Sequence, residues 1–165
     1  MPLDRVAARL RQRIPATAWA AFLSCFLSGY LIHLFALTNL IPNSDGLSRV
    51  FDPQQMTVSG RWFLHYASAL NGFTQMPALI GFLSMVFLSL AAAAAVLILG
   101  LHSRTLSALA GVLMAAFPCL GYTFLYMFTA SAYCLAILLA VLSVWLAQKG
   151  GWPRSLAACL LLALS

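Results

Sequence analysis

The chain has 165 residues, 63% hydrophobic and 7% charged, with a mean hydropathy of +0.95 and a formal net charge of +6. Soluble globular domains carry about 25% charged residues, so this composition excludes a water-soluble domain and describes an integral membrane protein. There is no Glu and a single Lys, and the arginines lie at the ends of apolar runs rather than in a solvated basic domain, which excludes a nucleic-acid partner.

Met1–Pro15 carries Arg5, Arg9, Arg11 and Arg13 beside Asp4, and leads into an apolar run, Ala16–Leu40. A helix of about 20 residues crosses a bilayer. The apolar core of a signal peptide is only about 7–15 residues long, so the run reads as an uncleaved first span that ends before Pro42. His33 lies within it. A polar group inside a span is a functional candidate, and the alternative is a neutral imidazole near the helix end that hydrogen-bonds a neighbour.

Residues 41–77 form an insert between apolar runs, and its first part, Asn43–Phe63, reads NSDGLSRVFDPQQMTVSGRWF. Of the three acidic residues in the chain, Asp45 and Asp52 lie here, with Arg49 and Arg61 nearby. Trp62–Asn71 is too short to span. It suits an interfacial amphipathic helix with Trp62 and Tyr66 on one face, broken at Gly72. Thr74–Pro77 then turns the chain into a second span, Ala78–Leu101, where Ala91–Ala95 allows close helix packing.

His102, Ser103 and Arg104 form a very short loop. A third span, Leu106–Met127, contains Pro118, which should kink it, and Gly121, which permits close approach. Phe128–Ser131 is expected to be a tight turn before a fourth span, Ala132–Ala147. Gln148–Arg154 is a loop with Gly150, Gly151 and Pro153 as breakers. From Ser155 a fifth apolar run reaches Ser165, too short to cross as a helix, so the sequence is expected to be the N-terminal part of a larger domain. Cys25, Cys119, Cys134 and Cys159 all fall in apolar runs, without disulfide or metal spacing, and read as small hydrophobes.

The expected fold is therefore all-α: one polytopic transmembrane bundle over residues 1–165, with four full spans, a truncated fifth, and a short interfacial helix after the first external loop. Short loops rich in Arg and Lys stay cytoplasmic. A cytoplasmic N-terminus puts seven basic residues inside, Arg5, Arg9, Arg11, Arg13, Arg104, Lys149 and Arg154, against two outside, Arg49 and Arg61. The insert is then extracytoplasmic.

A carboxylate on such a loop is placed to act on a membrane-anchored substrate. Asp45, in the turn Asn43–Gly46, has the chemistry to deprotonate a hydroxyl or stabilise a developing positive charge. Arg61 offers a planar fork that matches a phosphate. The bland readings stand beside these: Asn, Ser, Asp and Gly are common turn residues, Arg61 beside Trp62 can snorkel to headgroups, and Asp52 before Pro53 reads as a turn initiator.

Asn43–Leu47 (N-S-D-G-L), Ser59–Leu64 (S-G-R-W-F-L) and Tyr126–Tyr133 (Y-M-F-T-A-S-A-Y), together with the basic N-terminus and first spans, resemble the start of the bacterial membrane glucosyltransferases related to the O-antigen-modifying Gtr enzymes. The resemblance implies the GT-C architecture, with a sugar, glucose, transferred from a polyprenyl-phosphate donor to a cell-envelope glycan or lipid acceptor outside the cytoplasmic membrane. No cofactor or metal is implied. Asp45 holds the place of the catalytic acid residue of the first external loop. Arg61 matches the family's G-R-W element, which implies a role near the lipid phosphate or in holding the loop, Asn43 and Trp62 are the further substrate-binding candidates, and Ser131 stands where the family often carries an acid. A transporter or flippase segment, with His33, Pro118 and Gly121 marking a broken-helix pathway, is the alternative from another class. A truncated, non-catalytic membrane subunit is a third.

Overall fold

The structure is a computed structural model that describes residues 14–41, 62–72 and 76–165. Among these residues every regular element is helical: α1 (Ala16–Thr38), α2 (Trp62–Ser68, continued by a 3₁₀ turn Ala69–Asn71), α3 (Pro77–Ile98), α4 (Arg104–Ala115), α5 (Pro118–Leu125), α6 (Met127–Gln148) and α7 (Trp152–Leu164). The chain is a polytopic helical membrane protein. α1, α3 and α6 are each long and apolar enough to cross a bilayer, and the α4–α5 pair is so only when its two helices are taken together as one bent span.

Local chemistry sets the helix ends. α1 starts from Pro15, whose carbonyl receives the amides of Ala18 and Trp19. It stops at Thr38, two residues short of the expected end, where Thr38 Oγ1 donates to Leu34 O at 2.7 Å and Asn39 Nδ2 to Phe35 O at 3.0 Å. The Asn39 backbone N–H also donates to Phe35 O, so the side chains add second donors to the carbonyls of the last turn. α3 ends in a Schellman motif: Gly100, at φ 63°, donates to Leu97 O and Leu101 to Val96 O. Gly72, also at φ 63°, closes the 3₁₀ turn after α2, the break expected there.

The third span is kinked as Pro118 demands. α4 and α5 meet at 41° across Ala116 and Phe117, and their 12 and 8 residues together rise about 30 Å, one bilayer core. One expectation fails. Phe128–Ser131 is not a turn but the first turn of α6, and the reversal falls on Tyr126, at φ −104° and ψ 59°. The stretch has no Gly or Pro to break a helix, and Thr129 Oγ1 bonds back to Tyr126 O at 3.1 Å, while the Ser131 hydroxyl is buried without a hydrogen-bond partner.

Helix neighbours run α4, α1, α3, α6, α7, and α5 leans across to touch α1 and α6. The buried centre gathers Cys25 and Leu37 of α1, Ile80, Met85 and Leu88 of α3, Phe124 of α5 and Cys134 of α6. Lipid is as apolar as these side chains, so association rests on close packing of small residues. A Cβ on Gly111 of α4 would strike the carbonyl of Ala21 and the hydroxyl of Ser24 on α1, and one on Gly81 of α3 would come within 2.7 Å of Leu37 Cδ2. Gly121, expected as a close-approach site, has open space around it.

The described charged side chains, Arg104, Lys149 and Arg154, are all at the bundle end formed by the α3–α4 and α6–α7 connections. The described part of the insert is at the other end, where α1 finishes and α3 and α6 begin.

Candidate functional site

α2 is the part of the insert that can be placed. Residues four apart share a helix face, and Trp62, about half exposed, meets the Tyr66 ring edge-on at 6.5 Å and that of Phe63 at 5.7 Å. Ala67 and Ser68 are buried, and α2 packs on α6. The expected interfacial helix is present and docked on the bundle, with an aromatic rim turned outward.

Between α2, the start of α6 and the last turn of α7 lies a cavity of about 250 Å³. Trp62, Phe63 and Ala67 form one wall, and Ala132, Tyr133 and Ala136 form another. Ala132 and Ala136, one helical turn apart on α6, present only methyl groups to it, and Ala163 and Leu164 of α7 line its remaining side. Trp and Tyr combine an apolar body with a polar tip, so the arrangement suits a ligand with a polar end at the membrane surface and an apolar body below.

Two stretches distant in sequence meet at this cavity. Trp62, Phe63 and Leu64 come from S-G-R-W-F-L, and Ala132 and Tyr133 from Y-M-F-T-A-S-A-Y. Of the candidate site residues, Trp62 is placed here. Asn43, Asp45 and Arg61 lie outside the described residues, as do Arg49 and Asp52. Arg61 directly precedes Trp62 in the chain.

Residue-level reading did not single out Phe63, Ala132, Tyr133 or Ala136 as a wall. The available signal was the Ala132-to-Ala136 spacing, the small-residue pattern of close helix approach, beside an aromatic at 133. Ser131 is buried in α6.

Of the elements named for a broken-helix pathway, Gly121 faces open space and His33 meets the end of α4 next to the Pro118 break. His33 Nε2 is 2.9 Å from Ala115 O, the neighbour bond expected of an imidazole near a helix end. The hollow beside Pro118, lined by Leu88, Leu113, Met114, Phe117 and Ile137, is apolar, with Cys119 and Thr123 at its edge. Thr123 Oγ1 already donates to Cys119 O. Among the described residues no three His, Cys, Asp or Glu side chains gather as a metal site.

A family model described as Glucosyl transferase GtrII matches residues 34–165. Comparison with curated proteins and with solved structures gives no match. The matched span begins near the end of α1, takes in the insert and both stretches that meet at the cavity, and runs to the end of α7. On that extent the chain belongs to the glucosyl transferase GtrII family.

Proposed function

We propose that the chain belongs to a cytoplasmic-membrane glucosyltransferase that moves glucose from a polyprenyl-phosphate donor to a cell-envelope glycan or lipid acceptor on the extracytoplasmic side. The observation that carries this reading is the meeting of Trp62–Leu64 with Ala132 and Tyr133 at one end of the bundle, in a member of a glucosyl transferase family. An aromatic rim over an apolar hollow fits a substrate that is half lipid and half sugar. The described charges at the opposite end favour a cytoplasmic location for that end by the positive-inside rule.

In this mechanism Asp45 takes the proton of the acceptor hydroxyl as its oxygen bonds to the anomeric carbon of the sugar. The bond from that carbon to the phosphate oxygen breaks, and the electron pair leaves with the polyprenyl phosphate. Arg61 holds the phosphate in two-point contact, with Asn43 and Trp62 completing the donor site.

Membranes containing the full-length protein test the donor directly. Labelled glucose is expected to reach the acceptor from polyprenyl-phosphate-glucose added alone. Transfer from a nucleotide sugar, with no lipid-linked sugar formed on the way, would overturn the reading.

A further inference from the structure

α4 and α5 together are long and apolar enough to cross a bilayer, and at a break in such a span an unpaired carbonyl has no water to turn to. Ala115 is the last residue of α4, so its carbonyl is one of those a helix end leaves without an intrahelical donor. Pro118 starts the next helix and contributes no N–H of its own. Into this gap comes His33 of α1, with Nε2 at 2.9 Å from Ala115 O. A carbonyl only accepts, so the imidazole is the donor and carries its proton on Nε2. The same ring lies 5.0 Å from the ring of Phe124, which is buried in α5 on the far side of the break.

We infer that His33 is the pin of the broken span: one imidazole on α1 satisfies the end of α4 by a hydrogen bond and seats α5 by a ring contact, and so fixes the angle between them. α5 feeds through Tyr126 directly into α6, which carries Ala132, Tyr133 and Ala136. The pin therefore sets the position of the chain entering the cavity wall. His33 acts through other residues and is a positioning residue.

Hydrogen–deuterium exchange on the full-length protein in lipid nanodiscs tests this without added labels. His33→Ala is expected to speed exchange of amides 116–121 on the order of tenfold, the worth of one net hydrogen bond, while peptides from α3 and the second half of α6 keep their wild-type protection. His33→Gln places an amide N–H at about the reach of Nε2, and is expected to restore most of the protection at 116–121. Unchanged exchange at 116–121 in His33→Ala would overturn the inference. So would equal loosening of α3 and α6, which would make His33 a general stabiliser, or a His33→Gln protein as loose as His33→Ala, which would leave the hydrogen bond without a role.

Discussion

Gly111 shows how little room separates α1 from α4. A methyl there meets the backbone carbonyl of Ala21 and comes within 3.1 Å of the Cys25 amide, neither of which can swing aside. At Gly29 the nearest atom is the Met85 sulfur, on a side chain with three rotatable bonds. Gly111→Ala is therefore expected to destabilise the protein by about 1–3 kcal/mol, the usual cost of overpacking, and Gly29→Ala by clearly less. Thermal unfolding of the two variants in the same detergent checks the order. Sequence alone does not rank these glycines. Gly121 beside Pro118 looked like the close contact and is open, because the face a glycine presents depends on which helix lies opposite, and an all-apolar helix carries no periodic signal to say so. His33 was more legible. A polar ring in a span needs a partner, and the structure supplies the carbonyl that the kink releases.

At the scale of elements, the spans were legible because lipid requires about 20 apolar residues in a row, and α1, α3, α6 and the α4–α5 pair answer to that requirement. Pro118 marked the kink because its missing N–H breaks the ladder whatever surrounds it. The start of α6 was misread because Thr129 and Ser131 look like turn residues in water. In lipid a hydroxyl lowers its energy by bonding the preceding turn, as Thr129 does, and the helix extends back to Met127. The cavity wall on α6 was hidden for a related reason. Alanines are read as helix formers before they are read as missing volume, and it takes α2 and the end of α7 together to turn Ala132 and Ala136 into the wall of a hollow.

At the scale of the whole molecule, the charged side chains among the described residues lie away from the cavity along the bundle axis. Arg104, Lys149 and Arg154 are at one end and the aromatic rim of α2 at the other, a polarity that the placement of Arg and Lys already announced in the sequence. In a background lacking native cysteines, Ser48→Cys is expected to react with a membrane-impermeant thiol reagent added to intact cells, and Ser103→Cys only after the membrane is opened. The reverse pattern would put the insert in the cytoplasm and remove the external site. The central claim is sugar transfer driven by the insert, and the sharpest measurement compares its two carboxylates in the full-length enzyme, at matched membrane expression, by following transfer from the polyprenyl donor. Asp45→Asn keeps the shape and removes the proton acceptor, so turnover is expected to fall about 10²- to 10⁴-fold, while Asp52→Asn, which the sequence reads as a turn initiator before Pro53, is expected to retain most of it. Near-normal transfer by the Asp45→Asn protein, or equal losses at both positions, would contradict the account.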